Sequence, residues 1–110
     1  MNEPCFERIL PLDELRPGRM HACRIGTREV VICRTDEGVF ALDDICTHAE
    51  ARMSEGRLRG TRLVCPLHGA VFDVRDGRVL KGPAVRSLGT HAVRIRDGAI
   101  EVAVDSGPDA

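Results

Sequence analysis

The 110-residue sequence has little net charge, no long hydrophobic run and no sustained helical periodicity. Sixteen basic residues face seventeen acidic ones, for a formal net charge of -1. That balance lacks the electrostatic footprint of a nucleic-acid binder or a polybasic membrane module, so neither partner is expected. No apolar run exceeds four residues, Val30-Val31-Ile32-Cys33 being one of that length. A bilayer span needs about 20. The first residues, Met1-Asn2-Glu3-Pro4, lack the basic and apolar regions of a signal peptide, which points to the cytoplasm. Five cysteines in a reducing compartment suggest metal binding before a disulfide framework.

What is present suits one domain, and a chain of this length can bury about 65% of the surface its unfolded form exposes. Seventeen Val and Ile and eleven Gly favour strands over helices. The clearest unit is Val93-Arg94-Ile95-Arg96, then Asp97-Gly98, then Ile100 to Val104: two alternating segments about a dipeptide suited to a type I′ turn. Met20 to Ile25 pairs with Glu29 to Arg34 across Gly26-Thr27, and that strand pairs with Val39 to Leu42 across Asp36-Glu37-Gly38, giving an antiparallel meander. Asp13-Glu14-Leu15 reads as one helical turn ended by Pro17, and residues 105–110 as a frayed tail. Residues 44 to 83 break the pattern with short apolar pieces between loops of Cys, His, Pro and Gly.

Those loops hold two pairs of metal-binding side chains, Cys46-Thr47-His48 and Cys65-Pro66-Leu67-His68, with sixteen residues between His48 and Cys65. One tetrahedral zinc with two Cys and two His is one reading. A single residue between paired ligands is unusual for zinc modules, however, and lets Cys and His reach two adjacent metal ions. Two thiolates suit one iron of a [2Fe-2S] cluster and two imidazoles the other.

The loops Cys46-Thr47-His48 and Cys65-Pro66-Leu67-His68-Gly69 resemble the two ligand loops of the Rieske family. The resemblance extends over nearly the whole chain, through the early meander, Gly69-Ala70-Val71-Phe72-Asp73, the Asp76-Gly77 turn, Gly82-Pro83-Ala84 and the last hairpin. It implies an all-β Rieske fold in one domain: an antiparallel base at 1–43 and 84–104, with a cluster-binding subdomain at 44–83. By the same resemblance, Cys46 and Cys65 bind the buried iron, and His48 and His68 bind the outer iron through Nδ1. Gly69 then allows close backbone approach to the cluster, and Pro83 lies in a covering loop. The implied function is that of a monomeric ferredoxin, not itself an enzyme. It takes electrons from an NAD(P)H-dependent flavoprotein ferredoxin reductase and passes them to the terminal Rieske oxygenase of an aromatic ring-hydroxylating dioxygenase system. The rival readings are the Rieske-like small subunit of an NAD(P)H-dependent nitrite reductase and a structural zinc module.

Ala51 and Leu67 stand where the Rieske subunits of respiratory complexes carry an extra disulfide. Ala70, Val71 and Phe72 offer no side-chain donor where that branch has serine and tyrosine. Fewer donors imply a potential near the low end of the Rieske range, roughly -150 mV. Thr47, Ala49, Ala51, Leu67, Pro83 and Ala84 are the expected rim of a docking surface. Cys5, Cys23, Cys33, His21 and His91 are read as structural. Arg52, Arg57, Arg59 and Arg62 read as a solvated strand face or a docking patch, and Asp73 as a loop brace or an exposed carboxylate.

Overall fold

The run Val30-Val31-Ile32-Cys33 lies inside the longest strand and is wholly buried, because both faces of that strand are covered. Val31 and Cys33 enter one core, and Val30 and Ile32 another. A strand covered on both sides loses the usual apolar-polar alternation, which explains the continuous run. The computed structural model describes residues 5–47, 50–84 and 86–104. Its strands are β1 (Glu7–Pro11), β2 (Met20–Ile25), β3 (Arg28–Thr35), β4 (Gly38–Asp43), β5 (Arg57–Arg59), β6 (Arg62–Val64), β7 (Val71–Asp73), β8 (Val79–Lys81), β9 (Thr90–Arg96) and β10 (Ala99–Ala103). Two 3-10 turns, Leu12–Glu14 and Met53–Glu55, complete the regular structure. Among the described residues no helix is long and apolar enough to cross a membrane.

The fold is all-β, as expected. Six strands form one antiparallel sheet in the order β1-β10-β9-β4-β3-β2, and four short ones form a meander, β5-β6-β7-β8. The expected hairpins are present. Asp97 and Gly98 both take positive φ, 52° and 76°, as a type I′ turn requires, and join β9 to β10 with Arg96 opposite Ala99. Gly26 and Thr27 join β2 to β3 with Ile25 opposite Arg28. The helical turn falls at Leu12–Glu14, one residue earlier than expected, and Leu15 beyond it plugs the second core. Strand β1 was not expected as a strand. It pairs with β10 through a bulge between Arg8 and Leu10, an irregularity that hides its alternation in the sequence.

The first core lies where the two sheets meet and contains Leu42, Met53, Leu63, Phe72, Val74, Ala84 and Leu88 together with Cys46 and Cys65. The segment after β8 is fastened to the meander by the Leu88 N–H, which donates to the Gly77 carbonyl at 2.8 Å. Gly77 has φ 77°, and a Cβ there would collide with the Leu88 carbonyl oxygen. Gly77→Ala should therefore lower stability by roughly 1–2 kcal/mol or more, combining backbone strain with a forced separation of the two segments. Thermal denaturation checks this. A variant as stable as the parent would mean that the contact is not constraining.

Candidate metal centre

The two cysteine loops are built alike. The Cys46 N–H donates to the Ala51 carbonyl at 2.9 Å, and the Cys65 N–H to the Ala70 carbonyl at 2.8 Å. Each bond closes a turn of four intervening residues and leaves a buried Cys at its base. Cys46 is 5% exposed and Cys65 2%. The second loop continues the β6–β7 hairpin, in which Val64 faces Val71. The first continues an isolated bridge between Ile45 and Arg52. Within the second loop the chain reverses by placing His68 and Gly69 at φ 66° and 72°. Glycine takes that conformation freely, whereas histidine holds it at a cost of roughly 1 kcal/mol, so surrounding structure must enforce it. His68 is exposed, as are Pro66 and Leu67.

Asp44, only 1% exposed, fixes the approach to the first loop. Its carboxylate accepts from the Ser54 N–H at 2.7 Å and the Ser54 hydroxyl at 2.8 Å, and Arg52 lies 3.6 Å away. Its carbonyl accepts from the Met53 N–H at 2.6 Å. The turn Met53–Glu55 is thereby drawn back on the strand end that leads into Cys46. A third segment abuts the same loop, since the Thr47 hydroxyl donates to the Arg86 carbonyl at 2.8 Å. That segment includes the cis Gly82-Pro83 bond, and Ala84 packs in the core that contains both cysteines.

The two cysteine thiols are hydrogen-bonded neighbours. Burial pushes the Cys65 thiol up, the Cys46 side chain acts the same way, and the Leu67 N–H acts against both by donating to the Cys65 sulfur. This backbone donor is not visible in the residue types. Among the described residues no three of His, Cys, Asp and Glu gather as the ligands of one metal ion. Cys46 and Cys65 are together inside and His68 is at the surface, while His48 lies outside the described residues. Cys33 is pushed up to about 12 and Cys23 to about 11, chiefly by burial. Neither is among the loops, and His91 is instead bonded through Nε2 to Asp43 at 2.8 Å. Of the expected docking rim, Leu67 and Pro83 are exposed and Thr47 is half-buried, Ala49 lies outside the described residues, and Ala51 and Ala84 are buried and form no part of a surface. Small apolar side chains beside the loops were needed to fill the core.

A paired inner thiol set and an outer imidazole on one loop fit a two-iron centre of mixed ligation in donor chemistry. Residues 6–94 match the Rieske [2Fe-2S] domain model, so the chain belongs to that family and its cofactor is the Rieske-type [2Fe-2S] cluster. The ferredoxin component of the naphthalene 1,2-dioxygenase/salicylate 5-hydroxylase systems of a Ralstonia species is 34% identical, over 78% of this chain and 83% of that one. Among solved structures, the ferredoxin of carbazole 1,9a-dioxygenase from Nocardioides aromaticivorans IC177 is 32% identical with a TM-score of 0.87, covering 91% of this chain and 98% of that one. The complex of reduced oxygenase and oxidized ferredoxin in carbazole 1,9a-dioxygenase contains a chain 29% identical, TM-score 0.86, covering 92% and 94%. A putative NADH-dependent nitrite reductase small subunit from Mycobacterium tuberculosis is 25% identical, TM-score 0.84, covering 96% and 99%.

Beyond the loops, Asp73 braces the meander. It is buried, accepts from the Arg75 N–H at 2.9 Å, and forms a two-pronged pair with the Arg75 guanidinium at 3.0 and 2.8 Å. The Arg75 guanidinium first, then the Arg75 N–H and Arg78, lower its carboxyl from 3.8 to about 2. On acidification the unfolded chain takes up this proton first. The stabilisation is therefore whole above about pH 4 and is lost as pH falls from there to about 2. Arg75 is half-exposed, so salt weakens the effect. Arg75→Gln should move the acid unfolding transition to higher pH in far-UV circular dichroism. A transition at the parent's pH would show that the pair adds nothing.

Proposed function

We propose that this protein is a monomeric, cytoplasmic one-electron carrier. It takes electrons from an NAD(P)H-dependent flavoprotein reductase and delivers them to the terminal oxygenase of a ring-hydroxylating dioxygenase system. The observation that carries this reading is the polarity of the second loop, which puts Cys65 in the core and His68 at the surface within three residues. In this reading Cys46 and Cys65 hold the inner iron, and His48 and His68 hold the outer iron through Nδ1. Bound there, a Rieske cluster supplies a reversible one-electron couple at the edge of the protein.

The chain's own residues set the conditions for that couple. Met53, Leu63, Phe72, Ala70 and Ala84 pack with the cysteines and keep water from the inner side. The Leu67 N–H donates to the Cys65 sulfur and acts to raise the potential, whereas neither Ala70 nor Phe72 brings a side-chain donor, which supports a value toward the low end of the Rieske range. Pro66, Leu67 and Pro83 expose an apolar collar suited to a small, short-lived encounter. The naphthalene and carbazole dioxygenase relatives are named as ferredoxins rather than as oxygenases. The lower identity of the nitrite reductase subunit makes that reading the weaker one.

Leu67 is 47% exposed beside His68, so Leu67→Glu should slow electron delivery to the oxygenase about tenfold, or 1.4 kcal/mol in the barrier. The visible spectrum should not change. Stopped-flow reoxidation of the reduced protein by a ring-hydroxylating oxygenase measures this. Parent-like rates would move the docking surface elsewhere, and reoxidation by a sirohaem nitrite reductase alone would favour the rival.

A further inference from the structure

The chain contains fifteen arginines and one lysine. Among the described residues six of these arginines, Arg24, Arg28, Arg52, Arg75, Arg78 and Arg94, pair with carboxylates. Arg57, Arg59 and Arg62 are different. They project from one face of β5 and β6, since the opposite face carries Leu58 and the fully buried Leu63. Arg59 and Arg62 are direct cross-strand partners, a like-charge arrangement that destabilises a sheet. The next residue in the row, Asp73, is already held by Arg75 and Arg78. Among the described residues no carboxylate pairs with Arg57, Arg59, Arg62 or Arg19, all of which are exposed.

Arg19, Arg57 and Arg59 line a hollow of about 410 Å³ between the start of β2 and the edge strand β5, together with Ser54 and Gly56, and among the described residues no carboxylate lines it. A second hollow beyond Arg59 is lined also by Arg62, but Asp36 and Glu37 share it, which leaves the first as the cationic one. We propose that the first hollow, with Arg62 beside it, is a docking groove for an acidic segment of a protein partner. Three guanidiniums in an open hollow, with a fourth beside it, match carboxylates in geometry as well as charge, because each offers a planar fork. Among the described residues strand β5 pairs only with β6, which leaves its other edge for an extended segment. Arg57 lies opposite Val64, the residue before Cys65, so the groove starts beside the ligand loop and a partner seated on His68 can reach it. Charges so placed at the margin of a transient interface act mainly on the rate of encounter.

Assigning the partner as a redox protein rests on the carrier reading; the groove does not. The test uses the cluster-loaded protein and the triple variant Arg57→Gln, Arg59→Gln, Arg62→Gln, with a hexaglutamate peptide as probe. The parent should bind the peptide with an affinity that falls as salt rises, and the triple variant should bind at least tenfold more weakly. Single Arg59→Gln should be no less heat-stable than the parent, which separates lost binding from lost folding. Electron transfer with a flavoprotein reductase or an oxygenase should slow at least tenfold at low salt in the triple variant. Equal peptide binding by both proteins overturns the proposal, as does inorganic phosphate competing as well as the peptide. Unequal peptide binding with no electron transfer by the parent overturns the carrier reading and leaves the groove standing.

Discussion

The hydrogen bonds from Cys46 to Ala51 and from Cys65 to Ala70 are the constraint on which the rest of the site depends. A thiol meant for an inner metal must be dry, and an imidazole meant for an outer one must reach the surface. In the second loop only Pro66 and Leu67 separate the residues that meet these demands. Closing the loop at its base anchors the cysteine among Met53, Leu63 and Phe72, and the left-handed turn at His68 and Gly69 carries the tip outward. The surrounding structure maintains that closure. Asp44 holds the Met53–Glu55 turn, Thr47 holds the 82–88 segment through Arg86, and Gly77 lets Leu88 approach the meander. The two sheets are thus joined through the segments that shape the loops.

Much of this was legible in the sequence because it is locally encoded. Asp97-Gly98 and Gly26-Thr27 specify their hairpins by the φ values those turns need, and alternation of side chains does the rest. The two Cys and His pairs stood out as candidate ligands because soft and borderline donors at such spacing serve few purposes. Strand β1 was not legible, since its bulge breaks alternation and its partner β10 lies at the far end of the chain, with Glu7 opposite Val102 and Pro11 opposite Ala99. Ala51 and Ala84 looked like surface because small residues carry no signal of burial. Asp44 gave no sign of its role either: a carboxylate ordinarily reads as exposed, and here two bonds from Ser54 compensate its burial.

The arginines divide by the same physical test. Arg52 adjoins Arg57, Arg59 and Arg62 in sequence, yet it is bound to Glu29 at 2.8 Å and near Asp44, so its charge is spent within the fold. Arg57 to Arg62 keep their charge for solvent or a partner. A chain of formal net charge -1 therefore still presents a local cationic face, which composition alone conceals.

Cys46, His48, Cys65 and His68 are proposed to hold one two-iron cluster. Metal and acid-labile sulfide analysis of the purified protein, paired with electron paramagnetic resonance after reduction, tests it most directly when the parent is set beside His68→Ala. Two iron and two sulfide per chain are predicted for the parent, with a one-electron signal of mixed histidine and cysteine ligation that His68→Ala loses. A colourless parent carrying stoichiometric zinc, or a His68→Ala variant that keeps the full signal, would contradict it.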